Sequence, residues 1–281
     1  MRMIKFLYYW KSNSSKQNFG DLLSKYIVEK ISNKIVIHVD PTNRWVRNLG
    51  IKHYLAIGSI INKATKKSIV WGSGIIKKDQ NIRESNFVAV RGPKTSKRIT
   101  ELGYKTTTIY GDPGLLSNLF YKKDIQKKYK YGIIPHYVDY QEINKIHSKD
   151  KSILVIDLMC NNVEDIFEKV KSCEFIFSTS LHGVIIAHCF YIPALWIKFS
   201  NRLSGDNIKF YDYFESVGLE YPIVEFSSST YEIEDLINVM NKNNAISIPK
   251  KGVINKLQKN LIIACPFIKE KRKTKLLLLI N

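Results

Sequence analysis

Short apolar runs that break into a polar or glycine-bearing turn and then pass straight into a helix recur along this chain. IKFLYYW precedes DLLSKYIVEKIS, whose apolar residues return at helical spacing. YLAIGS precedes IINKA, SIVWGSG ends in a glycine turn, NFVAVRG precedes PKTSKRITEL closed by Gly103, and TTTIYGD precedes PGLLSNLF. A lysine-rich link, YKKDIQKKYKY (121–131), interrupts the series, which then restarts with strands YGIIPHY, SILVIDL, EFIFSTS and ALWIKF and helices NVEDIFEKVKS, capped by Asn162, and GVIIAHCF. Short strands alternating with helices specify βαβ units and parallel sheets covered on both faces. With 281 residues there is room for two such units, so the expected fold is α/β, with two Rossmann-like domains (1–122 and 123–249) facing a cleft.

Composition narrows the class. At 44% hydrophobic and 12% aromatic the chain is rich enough in apolar residues to fold, and no run reaches the roughly 18 residues that span a bilayer. The N-terminus shows no signal-peptide cleavage pattern, so the expected location is cytoplasmic. Cys160, Cys173, Cys189 and Cys265 form no C-x-x-C pair and are expected as buried thiols. The net charge of +19 calls for an anionic partner, yet the lysines are scattered and no nucleic-acid-binding module is present. Residues 250–281, with nine Lys/Arg against one Glu, read as a basic tail for peripheral contact with an anionic membrane or as a solvated terminus.

In open parallel sheets ligands bind beyond the carboxyl ends of the strands, where helix N-termini offer free N–H groups. The polar residues at those ends are Asn18, Gly20 and Asp21; Gly58 and Ser59; Gly72, Ser73 and Gly74; Arg91 and Gly92; Gly111 and Asp112; His136; and Ser180, His182 and Gly183, with Leu181 between. Asp21 and Ser59 also suit plain helix caps, and Pro93 and Pro113 suit first helical turns. Arg91, following FVAV, needs an anion or water. His182 heads an apolar helix whose dipole favours negative charge, whereas His188, inside that helix, reads as packing. Tyr8, Tyr9, Trp10 and Trp71 are candidate stacking surfaces, with apolar core the expected fate of at least half.

The series NFGDLLSKYIVEKI, AIGSII, VWGSGI, VAVRGPKTSKRI, YGDPGLL, IIPHY, FSTSLHGVIIAHCFYIPALWI and NIKFYDYFESVG resembles the polysaccharide pyruvyl transferase family over roughly residues 17–218. The resemblance implies a fold like the two-domain GT-B glycosyltransferases and transfer of a pyruvyl group from phosphoenolpyruvate to a sugar as a ketal, with no cofactor and no metal. The acceptor it implies is a polymer repeat unit, often carried on a lipid diphosphate. Ser180-Leu181-His182-Gly183 stands where many members carry Arg-Leu-His-Gly and looks like the exopolysaccharide branch; Lys198, Arg202 or Lys209 is expected to replace the missing charge. In that reading Arg91 and His182 hold the enolic phosphate, His182 is the candidate acid, and Asp112 or Asp21 is the base. The competing reading is a glycosyltransferase of the same fold using a nucleotide sugar.

Overall fold

The computed structural model describes residues 4–200, 205–220, 224–225 and 233–280. The first half contains β1 (Lys5–Tyr8), β2 (Gln17–Asn18), α1 (Phe19–Ser32), β3 (Val36–His38), α2 (Arg44–Asn48), β4 (His53–Leu55), β5 (Ser68–Trp71), β6 (Asn86–Ala89), α3 (Pro93–Glu101) and α4 (Ser117–Phe120). The second contains β7 (Tyr129–Ile134), α5 (Tyr140–His147), β8 (Ile153–Val155), β9 (Met159–Cys160), α6 (Val163–Lys171), β10 (Cys173–Ser178), α7 (Leu181–Cys189), β11 (Ala194–Lys198), α8 (Ile208–Val217), β12 (Val224–Glu225) and α9 (Ile233–Asn243). Helices α10 (Lys251–Ile263) and α11 (Glu270–Leu277) end the chain.

Two five-stranded sheets form, ordered β3-β1-β4-β5-β6 and β12-β11-β10-β7-β8. Every pairing within them is parallel. Numbered along its own strands, each sheet has the doubly wound order 2-1-3-4-5, in which the winding direction reverses between the first and third strands. Those reversals fall between β1 and β4 and between β7 and β10, and a ligand crevice belongs at the carboxyl end of each.

Three devices hold the halves together. β2 pairs antiparallel with β9, and the Phe19 N–H donates to the Leu158 carbonyl at 2.8 Å. Helix α1 buries Leu23, Ile27 and Ile31 in a core shared with α6 and α7, where Phe19 and Tyr26 meet Phe167 edge to face. Helix α7, LHGVIIAHC, is apolar around nearly its whole circumference because β10, β11 and the 3-10 turn Pro113–Leu116 cover it. Within it His188 is buried, bonded to Tyr213 Oη at 3.0 Å and the Ser247 carbonyl at 3.1 Å, which makes it a packing residue. All four cysteines are free and buried.

The alternating pattern is realised with local differences. IINKA gives only a 3-10 turn (Ile61–Lys63), and TTTIY contributes a single bridge, Tyr110 to Val90. Hydroxyls take over the backbone there: Ser96 Oγ donates to the Thr107 carbonyl, and Thr107 Oγ1 accepts from the Ile109 N–H. Of the expected basic tail 250–281, residues 250–280 instead fold back onto the first half. Trp71 Nε1 donates to the Leu261 carbonyl at 2.9 Å, Phe267 packs on Trp71 and Tyr54, and Arg272 donates to the Lys30 and Ile31 carbonyls. No helix among the described residues is long and apolar enough to cross a membrane.

Candidate functional site

β10 ends at Ser178, whose hydroxyl accepts from the Ser180 N–H at 3.0 Å and donates to the Ser180 carbonyl at 2.8 Å. This loop makes Ser180 the residue before α7 with an extended backbone, while its own hydroxyl caps nothing. Leu181 is a core residue. Gly183 is required because a Cβ would sit 2.3 Å from Ser178 Oγ. The His182 ring lies against the backbone of α1: a Cβ on Gly20 would fall 2.1 Å from its Nδ1. NFGD and SLHG therefore meet directly, and the glycine of one makes room for the histidine of the other.

His182 Nε2 is closed off from solvent and has no hydrogen-bond partner among the described residues. Burial pushes the imidazole down to about 3, and the positive charges of Lys209 and Arg91 push the same way. Lys209, in the first turn of α8, is itself pushed down to about 8 by burial and by Arg91. A neutral imidazole and a weakened ammonium are what burial beside other positive charge imposes before an anion arrives.

Arg91 is differently placed. Its guanidinium is buried and donates through Nε to Asp212 (3.1 Å), through Nη1 to Ser59 Oγ (2.7 Å) and through Nη2 to the Ile75 carbonyl (2.6 Å). Asp212 also accepts from the Thr95 N–H (2.9 Å) and hydroxyl (2.6 Å). A Cβ on Gly74 would strike the guanidinium at 2.5 Å, and one on Gly92 would strike the Asp212 carbonyl oxygen at 1.9 Å. The sequence expectation of a guanidinium laid directly on the ligand thus meets one largely committed to α8. One N–H on each terminal nitrogen is without a partner among the described residues, and the charge still acts on His182, Lys209 and Asp112.

Asp112 is fully buried. Its Oδ1 caps the turn Pro113–Leu116 through the Gly114 N–H at 2.8 Å, and Oδ2 has no partner among the described residues. Burial raises the carboxyl to about 6 against the opposing pull of that N–H and of Arg91. Thr179 Oγ1, just before α7, is also buried and has no partner among the described residues.

Asn18, not Asp21, caps α1, with Oδ1 accepting from the Gly20 N–H at 2.9 Å. Asp21 sits in the first turn, raised to about 7 by burial and held lower than it would otherwise be by the Trp10 N–H. Ser59 caps no helix and is spent on Arg91. Pro93 and Pro113 do open helical turns. His136 follows β7, its ring 4.2 Å from that of Tyr137. Lys198 is buried at the end of β11 with Nζ 5.8 Å from the Trp196 ring, and Arg202 lies outside the described residues. Of the aromatic candidates Tyr8, Tyr9 and Trp71 are core, while Trp10 is 56% exposed. Sequence reasoning passed over Asp212 and Thr95, although Asp212 is the acid of the FYDYF run; Tyr137 and Met159 carried no signal.

The fold and site define an α/β protein with two parallel sheets, in which Gly20, from the first half, packs on His182 of the second and the charges of Arg91 and Lys209 act on that ring. The profile of the polysaccharide pyruvyl transferase family matches residues 2–201, and the chain belongs to that family, which makes it a transferase. It is 32% identical to an uncharacterized protein of Acanthamoeba polyphaga mimivirus over 211 residues, 72% of each chain. It is 24% identical to the succinoglycan biosynthesis protein ExoV of Rhizobium meliloti (strain 1021) over 236 residues, 76% of this chain and 65% of that one.

Proposed function

We propose that the protein moves the pyruvyl group of phosphoenolpyruvate onto a sugar of a polysaccharide repeat unit, forming a ketal and releasing phosphate. The observation that carries this reading is the sequestered, unpartnered Nε2 of His182, with Lys209 and Arg91 as its charged neighbours. Phosphoenolpyruvate brings about three negative charges, which compensate that cluster and lift His182 back toward its ordinary value of about 6.5. His182 then becomes an acid only once the donor is bound, and protonates the terminal methylene. One sugar hydroxyl bonds to C2, phosphate leaves with the electrons of its C–O bond, and a second hydroxyl closes the ring. Of the two hydroxyl protons, one replaces the proton given to the methyl carbon and one ends on phosphate. Lys209 neutralises phosphate or carboxylate, the free N–H groups of Arg91 add to that field, and Asp112 is a second proton-holding group.

We read the two sheets as two Rossmann-like domains in a GT-B arrangement, joined near residues 122–123. The reaction in this reading needs no cofactor and works at the cytoplasmic face of the membrane, where a lipid-diphosphate acceptor would sit. Exposed Leu278 and Leu279 beside the basic residues of α11 are the proposed membrane contact, and Leu278→Ser with Leu279→Ser should reduce co-sedimentation with anionic vesicles.

The test is a thermal shift with phosphoenolpyruvate, nucleotide sugars and DNA, followed by phosphate release on adding a galactoside. Stabilisation by phosphoenolpyruvate alone, lost in His182→Ala, is the expected result. Stabilisation by a nucleotide sugar instead would replace this reading with glycosyl transfer.

A further inference from the structure

A cleft of about 350 Å³ opens beside the His182 cluster, lined by Trp10, Ser12, Ser14, Asn18, Asp21, Tyr137 and Met159. Its walls come from both winding reversals: Trp10 follows β1, Tyr137 follows β7, and Met159 lies on the strand that pairs with β2. Trp10 and Tyr137 are 56% and 59% exposed, unlike the buried Tyr8, Tyr9 and Trp71. Large rings left open in one crevice offer apolar surface to a ligand that has both apolar and polar faces. At one end stand Asp21 and Asn18, the latter with Oδ1 occupied by the Gly20 N–H and its amide nitrogen left to donate. Asp21 adjoins Gly20, on whose backbone the His182 ring rests.

We propose that this cleft is the subsite for the acceptor saccharide, with Trp10 and Tyr137 stacking on its C–H faces and Asp21 taking the proton of the attacking hydroxyl. The assignment rests on the pyruvyl-transfer reading for the chemistry, but the sugar site itself does not. In the step concerned, the hydroxyl oxygen forms a bond to C2 of the protonated donor while its proton passes to an Asp21 oxygen. When phosphate departs, that proton leaves with it or passes to solvent, and the carboxylate is restored. The groups that share this environment are Tyr8 on β1, which feels the charge of Asp21, and the His182 ring across Gly20.

The protein offers its own probe. Trp71 and Trp196 are buried, so in Trp45→Phe the exposed indole is that of Trp10. Galactose-, glucose- and mannose-terminated oligosaccharides, without phosphoenolpyruvate, should protect this indole from acrylamide quenching, and Tyr137→Ala should weaken the protection roughly tenfold. Tyr137→Ala and Trp10→Ala should raise the saccharide KM in phosphate-release assays and leave the thermal shift with phosphoenolpyruvate unchanged. Asp21→Asn should lower kcat roughly 100-fold, with saccharide KM held within about threefold and the rise of rate through pH 7 removed. Protection without phosphate release keeps the subsite and overturns the pyruvyl reading. Phosphate release with an unchanged KM in both aromatic variants overturns the subsite alone. Protection of Trp10 by phosphoenolpyruvate, or by none of the three saccharides, also overturns it.

Discussion

Arg91 and His182 are both strand-end residues brought to one region, and they have opposite fates. Arg91 is largely committed to Asp212, Ser59 and a carbonyl, so three of its five N–H donors are engaged before any ligand arrives. His182, which feels the charge of Lys209, has an Nε2 left short of a partner where burial and positive charge already act on the ring. A buried polar atom without a partner costs about 1–3 kcal/mol, which a fold retains where a ligand supplies what is missing. The contrast separates charge used to assemble the site from charge used to operate it.

The largest effect expected from breaking the first arrangement is on stability. Asp212→Ala leaves the guanidinium buried without its counter-charge and strips Thr95 of both its bonds to that carboxylate, which should cost about 3–5 kcal/mol in chemical denaturation. Arg91→Met combined with Asp212→Leu should cost much less than Asp212→Ala, because no charge is stranded. Equal losses in the two variants would mean that the pair's geometry, not its charge balance, holds α8 in place.

His182→Ala should do the reverse. Turnover should fall roughly 100- to 10,000-fold, the range of a lost acid, while the melting temperature stays level or rises as an unpaired nitrogen is removed. A large drop in melting temperature would place His182 with Arg91 among the assembling residues.

Gly20→Ala tests whether the two halves register on the histidine. The new methyl would overlap the ring at 2.1 Å, so the imidazole must swing away, and a displacement near 1 Å costs about 100-fold in rate. Gly252, with open space around it, is the control position, and Gly252→Ala should leave turnover unchanged.

The same contrast explains what could be read from residue order. Strand-end polar residues were legible because the doubly wound order points to strand ends as the place to look, and Arg91, His136 and His182 stand just past β6, β7 and β10. His188 was legible as packing because it falls inside an apolar helix. The inward turn of Arg91 was not, since it depends on an acid 121 residues away and on two glycines that let the elements close up. Nor was the return of α10 and α11, whose lysines look like a solvated tail while Leu261 and Phe267 fill gaps around Trp71. Tyr137 gains its place only when the segments that follow β7 and β1 come to line one cleft, a relation that no local pattern carries.

The smallest expected effect is also the sharpest on charge. Lys209 titrates near 8 in the free protein against an ordinary value of about 10.4, so between those values the unfolded chain binds more protons than the native one. By linkage its contribution to stability is a penalty at neutral pH that is relieved as pH rises from about 8 to about 10. Ligand binding must run the other way: a phosphorylated anion favours the ammonium, so binding takes up a proton above pH 8 and affinity should fall by up to about tenfold per pH unit there. Lys209→Met should weaken phosphoenolpyruvate binding roughly tenfold at pH 7 and flatten the decline above pH 8, measured by calorimetry in two buffers of different ionisation enthalpy. A slope that survives in Lys209→Met would therefore have to come from another group, and would remove Lys209 from the operating side of the site.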